Sequence, residues 1–313
     1  MKSMQVNSTS ADPMLRLVAV PQPIAGEGEV LIRVHAAGVT PTELLWYPTS
    51  HKSTGEPRIN AIPGHEFSGV IAALGANVQG LQVGQEVFGM NDWFAEGATE
   101  EFCITRPENI TAKPPSLTHE AAATVPIGAL TAWQGLFERA RLKPGERVLV
   151  HGGAGAVGLF VVQLAHLHGA YVIATASQRS IEFLKQLGAD EVLDYRGAPF
   201  EDGLEKVDVI FDGIGGETLE RSWDVLKTGG RLFTIAAQSE GVEEQRVKDA
   251  FFIVEPKGKQ LAVIADWLEE KRLRTFVGAI VPLEQASDAY NQKIRSDRGY
   301  GKTVVSVSGD KLN

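Results

Sequence analysis

Hydrophobic and polar positions change rhythm twice along the chain. From Leu15 to about Pro115, short apolar alternations are broken by turn residues, which predicts a β-rich region. Its clearest strands are expected over 29–34 (Glu-Val-Leu-Ile-Arg-Val) and 67–71 (Phe-Ser-Gly-Val-Ile). Between His119 and Arg139 the sequence becomes alanine-rich and helical. From Arg147 onward, strand-like and helix-like segments alternate. Strands are expected over 148–150, 171–174, 191–193, 207–212 and 231–236, with helices over 155–168, up to 187, and 219–226. Such alternation predicts βαβ units on a parallel sheet, an α/β doubly wound domain. Beyond it lie an apolar run over 251–254, a helix to about 272, a strand over 277–281, a helix over 283–294 and a last strand over 302–307.

The strand over 148–150 runs directly into His151-Gly152-Gly153-Ala154-Gly155-Ala156-Val157-Gly158, and Val157, Phe160, Val161, Leu164 and Ala165 follow at helical spacing. Glycines permit a sharp turn and let the backbone approach a pyrophosphate, whose charge is stabilised by the free N–H groups and positive end of the helix. Residues Gly152 to Gly158 are therefore read as the cradle of a dinucleotide. His151, His166 and His168 have no carboxylate or cysteine at metal spacing and are read as polar or helix-terminal residues.

Selectivity for one dinucleotide is argued from the end of the next strand. An NAD site places an acidic residue there, and its charge would repel a 2′-phosphate. This chain has Ala174-Thr175-Ala176-Ser177-Gln178-Arg179-Ser180 instead. Ser177 can donate a hydrogen bond and Arg179 can pair with a phosphate, so NADPH is the expected cofactor. Tyr195 is expected either to flank the adenosine phosphate or to pack the rim of the site. Gly213 and Ile214, after the strand over 207–212, are expected where open parallel sheets place their ligands.

Composition narrows the function classes. With 313 residues, 43% of them hydrophobic, the chain is long enough for two cores. A formal charge of −9, with no basic block, argues against nucleic acid as a partner. The single cysteine, Cys103, excludes an intramolecular disulfide and any multi-cysteine metal site. No apolar run is long enough to span a bilayer, and Met1 to Pro13 reads as a mobile or loosely docked polar tail without a secretory core. A cytoplasmic protein is expected.

The chain resembles the medium-chain dehydrogenase/reductase superfamily, in its zinc-independent quinone oxidoreductase-like branch. The resemblance is carried by Gly28-Glu29-Val30-Leu31-Ile32-Arg33-Val34, Ala37-Gly38-Val39-Thr40-Pro41, Ile62-Pro63-Gly64-His65-Glu66 and Val83-Gly84-Gln85-Glu86-Val87-Phe88-Gly89. It continues through Ala129-Leu130-Thr131-Ala132-Trp133, the glycine turn, Leu187-Gly188-Ala189-Asp190, Gly215-Gly216-Glu217-Thr218-Leu219 and Gly301-Lys302-Thr303-Val304-Val305. It implies a β-rich GroES-like catalytic domain over 1–124, a Rossmann NADPH-binding domain over 125–257 and a return segment over 258–313 that completes the catalytic domain, with the cofactor in the cleft between domains. Thr131, Phe252, Ile253 and Val254 correspond to segments lining the cofactor, and Lys302 is expected either to reach the cofactor or to cap the last strand. The resemblance also implies a homodimer joined through an edge strand, for which Phe251 to Val254 is the candidate.

Zinc-bearing relatives resemble this chain at His65-Glu66. Their first ligand position falls here on Thr40 and a later one near Ile127, neither of which is a plausible ligand. No metal is therefore expected, and His65-Glu66 reads as a hydrogen-bonded turn. Without a Lewis acid, alcohol oxidation loses several kcal/mol of transition-state stabilisation, whereas hydride transfer to a conjugated acceptor needs only a modest hydrogen-bond donor. The expected substrate is a small hydrophobic quinone or α,β-unsaturated carbonyl. Thr40, where this branch usually has Asn, and Tyr47, in a loop entering the cleft beside Trp46, are the candidate catalytic donors, with packing of the cleft wall as the alternative for Tyr47 and Trp46. The alternatives are an enoyl-thioester reductase, marked by basic residues for a carrier phosphate, and an inactive protein that binds NADPH.

Overall fold

A computed structural model describes residues 1–7, 14–294 and 296–307. The chain forms two compact units: unit 1 is Met1–Ile127 with Glu255–Asn313, and unit 2 is Gly128–Val254. Unit 1 begins with strands β1 (Lys2–Asn7), β2 (Met14–Ala19), β3 (Val30–Gly38), β4 (Glu66–Leu74), β5 (Glu86–Met90), β6 (Phe102–Thr105) and β7 (Ile110–Ala112). Unit 2 holds β8 (Arg147–His151), β9 (Tyr171–Ala176), β10 (Glu191–Asp194), β11 (Val207–Asp212) and β12 (Leu226–Thr234). The chain then returns to unit 1 with β13 (Val277–Pro282) and β14 (Lys302–Ser306).

The main sheet of unit 1 runs β13-β14-β3-β4-β5-β7, with β6 also on β3. Its core gathers Val30, Ile32 and Val34 from β3, Phe67 and Ile71 from β4, and Val87 from β5. The return segment enters this sheet where Val304 to Ser306 pair antiparallel with Gly38 to Ala36. One further bond, from Val39 N–H to the Thr303 carbonyl at 3.0 Å, sets the beginning of β14 beside the residues that follow β3. Lys302 and Thr40 meet through this register, although 262 positions separate them.

The amino-terminal segment differs from expectation. Residues 2–7 form β1 on β2, and the Met1 amine donates to the Val20 carbonyl at 2.7 Å. Met4 and Val6 alternate inward to join Leu15, Leu283 and Tyr290 in a core cluster. Burying two such side chains contributes about 1.5–3 kcal/mol each, enough to dock a short strand that reads as polar overall. Residues 8–13 of the expected tail lie outside the described residues.

In unit 2 all five strands are parallel, in the order β10-β9-β8-β11-β12. Parallel strands covered on both faces need nearly continuous apolar runs. Val148 to Val150, Val172 to Ala174, and Val209 with Ile210 supply them, all with no exposed surface. Helices Gly158–Leu167, Ile181–Gln186 and Gly216–Ser222 connect successive strands. The order reverses at β8, between β9 and β11, which is where open sheets of this kind receive their ligands.

The expected edge strand over 251–254 is not a strand. Phe251 makes one parallel bridge to Thr234, and Phe252 N–H donates to the Thr234 carbonyl at 3.2 Å. A four-residue apolar run does not by itself distinguish a strand from a packed irregular segment. Here Phe252 packs edge-on against Phe233 at 5.9 Å, beneath the Arg139 guanidinium. The edge strands of the sheet are β10 and β12, and it is β12 that lies beside this segment.

Candidate active site

The glycines of the β8 turn divide the work among them. Gly152 has φ +75°, in the left-handed region that favours glycine. Gly158, which opens the following helix, would place a Cβ 2.2 Å from the Gly152 carbonyl oxygen, so only glycine lets helix and turn approach so closely. Gly153 is packed against Ala174 and Leu184, where a Cβ would come within 2.9 Å and 3.2 Å. Gly155 is exposed, and a Cβ there would meet only the Gly152 oxygen, at 3.1 Å. Two glycines thus shape the turn and hold the helix to it, one packs against β9, and one leaves backbone open to a ligand. Ala154, Ala156 and Val157 complete the turn with partly exposed backbone, and the first N–H groups of a helix have no acceptor within it. These residues fit a pyrophosphate.

Buried side chains stabilise the turn from beneath. His151 Nδ1 lies 3.2 Å from Thr175 Oγ1, and its Nε2 lies 3.0 Å from Ser222 Oγ. Gly153 N–H donates to the Thr175 carbonyl at 3.0 Å. Burial brings the His151 imidazole down to about 4, so it is neutral near pH 7. Beyond β11, fully buried Asp212 accepts from the N–H groups of Ile214 and Gly215 at 3.0 Å and from Thr234 Oγ1 at 2.7 Å. This carboxylate folds the Gly213–Ile214 loop back, and a Cβ on Gly152 would lie 3.2 Å from the Ile214 side chain. The structure therefore brings Gly152, Gly213 and Ile214 together.

At the end of β9, Ser177 is half-buried and Arg179 is exposed. Arg179 makes no ion pair or hydrogen bond with any described residue. Tyr195 N–H donates to the Ala176 carbonyl at 3.3 Å, which puts the exposed Tyr195 ring beside this corner. Thr131 is buried in the helix Pro126–Trp133, one turn after Gly128, where a Cβ would sit 2.9 Å from the Ala156 oxygen of the glycine turn. Phe252 and Val254 are buried and Ile253 is half-buried at the end of β12. None of these three side chains is as open as Ile214.

Unit 1 holds a different arrangement, a cluster of ionisable groups with almost no exposed surface. Glu43 accepts from Gly64 N–H at 2.7 Å and contacts His65 Nδ1 at 3.0 Å, while His65 Nε2 lies 3.2 Å from the Ala95 carbonyl. Tyr290 OH lies 3.2 Å from Thr99 Oγ1, and burial, helped by the Glu43 carboxylate, pushes the phenol well above its ordinary range. Glu66, fully buried, accepts from Ile127 N–H at 3.0 Å and forms an ion pair with Lys302. Lys302 Nζ also donates to Thr40 Oγ1 at 3.1 Å. Burial brings the Lys302 ammonium down to about 7, opposed by the Glu43 carboxylate.

Lys302 is thus engaged with Glu66 and Thr40 inside unit 1. Tyr47 does not lie in a loop. It opens the one-turn helix Tyr47–Ser50, 47% exposed, with its ring stacked on His51 at 4.4 Å. Glu43, Thr99, Tyr290, Thr175 and Asp212 escaped the sequence reading as site supports. Their only signal was a polar residue inside an apolar stretch, which does not name the partner.

Residues 26–115 match the family described as alcohol dehydrogenase GroES-like domain, and residues 187–305 match that described as zinc-binding dehydrogenase. A "probable zinc-binding oxidoreductase, mitochondrial" of Arthroderma benhamiae is 32% identical, over 92% of this chain and 91% of its own. The chain belongs to the medium-chain dehydrogenase/reductase superfamily. It is an oxidoreductase. The 2-methylene-furan-3-one reductase of Solanum lycopersicum is also 32% identical, over 92% of this chain and 74% of its own. Among solved structures, the quinone oxidoreductase of Coxiella burnetii superposes with a TM-score of 0.86 at 28% identity, covering 98% of this chain and 99% of that one.

The zinc in one matched family's description was tested against the residues present. Both ring nitrogens of His65 face oxygen acceptors, Glu66 is paired with an ammonium, and Thr40 accepts from that same ammonium. The positions with ligand potential are committed to one another, and Ile127 contributes a backbone N–H to Glu66. These residues do not fit a catalytic zinc, which needs three protein ligands and an open position. Among the described residues no helix is long and apolar enough to cross a membrane.

Proposed function

We propose that the chain is an NADPH-dependent, zinc-independent reductase of quinones or α,β-unsaturated carbonyls. The observation that carries this reading is the corner after β9, where half-buried Ser177 and unpaired Arg179 stand in place of a carboxylate. Similarity to a 2-methylene-furan-3-one reductase and to a quinone oxidoreductase supports a conjugated acceptor.

A bound nicotinamide would supply the hydride for the acceptor, with the accompanying proton drawn from solvent. The protein's part is to hold and polarise. Gly152 to Gly158, with Gly213 and Ile214, seat the pyrophosphate. Ser177, Arg179 and Tyr195 receive the 2′-phosphate end. Thr131 and Phe252 to Val254 line the cofactor. The Thr40 hydroxyl donates to the oxygen on which negative charge develops, with Tyr47 as a second donor on the same unit.

We further place the enzyme in the cytoplasm as a homodimer. Strand β12 pairs only with β11 along most of its length, so its outer edge offers the open N–H and C=O groups through which a second copy can add. Light scattering at micromolar concentration should return twice the chain mass. Steady-state assays with NADPH and NADH against quinones, enones and an enoyl thioester test the activity. Turnover with NADPH on a quinone or enone is expected; protein that neither binds NADPH nor turns over any acceptor overturns the reading.

A further inference from the structure

We infer that Lys302 is the positioning residue for the Thr40 hydroxyl, and that its Glu66-anchored ammonium polarises this hydroxyl at the place where zinc-bearing relatives use a metal ion. The inference rests on the conjugated-acceptor reading above and names the group that makes Thr40 a donor.

A threonine hydroxyl has one proton to give and two lone pairs to accept with, whereas an ammonium can only donate. At 3.1 Å from Lys302 Nζ, Thr40 Oγ1 is therefore the acceptor, and its own proton points elsewhere. No described residue accepts that proton. Thr40 is also only half-buried, while Lys302 and Glu66 behind it are 6% and 0% exposed in their side chains. A partly open hydroxyl with an unspent proton and a cation behind it is a polarised donor toward whatever oxygen meets it.

Lys302 is held too firmly to be an incidental surface charge. It begins β14, where its N–H donates to the Phe276 carbonyl at 3.0 Å and the neighbouring Thr303 carbonyl accepts from Val39. Glu66 is fixed in turn by the Ile127 N–H. A Cβ at Gly38 would lie 2.5 Å from Glu66 Oε1 and 2.6 Å from the Ala123 carbonyl, so the chain leaves room for this carboxylate at a position where only glycine fits. A buried ion pair is a poor means of stabilising a fold, since well-packed apolar side chains generally do as well. The arrangement makes better sense as the setting of a charge beside Thr40.

The test uses the full chain and reads dinucleotide affinity, kcat, KM and melting temperature together. Lys302→Met should lower kcat at least about tenfold on a quinone or enone and leave NADPH affinity within about twofold. Thr40→Ala should cause a similar loss and Thr40→Ser little. Lys302→Met combined with Thr40→Ala should be no worse than either alone, because the two act as one unit. Lys302→Met can also destabilise by stranding Glu66, so the charge-neutral pair Lys302→Met with Glu66→Leu is the control: it should regain melting temperature without regaining kcat. Recovery of kcat in that pair would show a structural role and overturn the inference. So would multiplicative losses in the Lys302/Thr40 double variant, or loss of NADPH affinity at unchanged kcat. Wild-type protein with no turnover on any acceptor sinks the functional reading and this inference with it; wild-type turnover with an unimpaired Lys302→Met variant sinks only the inference.

Discussion

In the glycine turn of unit 2, the groups offered to a ligand are peptide N–H groups, set by a positive φ at Gly152 and by a helix packed too closely for any Cβ at Gly158. In unit 1 the corresponding groups are side chains, and Glu43, His65, Glu66 and Lys302 are held in place by one another in the interior. A backbone site tolerates change wherever the added atoms have room. A buried ionic site tolerates little, because each member is the solvation shell of another. The two regions should therefore fail differently under substitution.

The largest effect is expected in unit 1. Glu43→Ala strands the Gly64 N–H and the His65 ring, the two groups that this fully buried carboxylate engages. Breaking a buried charged network from one side costs about 3–5 kcal/mol. Chemical denaturation should show that loss, and a cost below about 1 kcal/mol would mean that the cluster is not mutually supporting. Unit 2 offers the paired test. Gly158→Ala drives a methyl into the Gly152 carbonyl and should cost about 3 kcal/mol, the upper end of overpacking. Gly155→Ala meets one atom at 3.1 Å, should change stability by no more than about 1 kcal/mol, and should still weaken dinucleotide binding. Equal melting temperatures for the two variants would break the division of labour among the glycines.

The two regions also differ in how they meet pH. Burial pushes the Glu100 carboxyl of unit 1 up to about 8, although the Ser3 hydroxyl beside it pulls the other way. The folded chain holds this proton more tightly than the unfolded chain. The resulting stability is full below about pH 4.5 and lost as pH rises through about 8. His151 of unit 2 runs in the opposite sense: its pKa falls from 6.5 to about 4, so stability is full above 6.5 and lost as pH drops through 4. His119 of unit 1, also brought down to about 4 by burial, adds to the acid limb, so single variants are needed to separate the regions. Glu100→Gln should flatten the alkaline limb, gaining about 2 kcal/mol at pH 9 relative to pH 6 after allowance for water reaching a group not wholly enclosed. Parallel melting curves for wild type and variant across that range would place the alkaline sensitivity elsewhere.

The contrast explains how much could be read from the chain before folding. The turn from Gly152 to Gly158 is contiguous, so its spacing displays both the geometry and the ligand class, and the strand and helix around it announce the context. The rhythm change near Arg147 likewise announced the parallel sheet. The Lys302–Thr40 contact exists only because β14 pairs with β3, a register that no local pattern contains. Glu43 and Tyr290 are brought into the same network by packing, from segments that share no motif. The apolar run over 251–254 misled because its side chains pack inward without a ladder, and the polar first residues misled because two alternating apolar side chains, Met4 and Val6, suffice to dock a strand.

The smallest expected effect separates cofactor preference from everything above. Arg179 is exposed and has no side-chain partner among the described residues, so Arg179→Ala should leave the melting temperature unchanged. A charge-assisted hydrogen bond to a phosphate contributes about 1.5–3 kcal/mol, which corresponds to roughly ten- to a hundredfold in affinity. The exposure of Arg179 argues for the lower end, since water competes for the guanidinium. The Michaelis constant for NADPH should therefore rise about tenfold while that for NADH, which has no 2′-phosphate, stays level. Raising the salt concentration should shrink the wild-type preference and leave the variant almost indifferent, because screening acts on the pair that the variant lacks. Equal changes for the two dinucleotides would mean that Arg179 only begins a solvated turn, and would leave Ser177 and Tyr195 to account for any preference that remains.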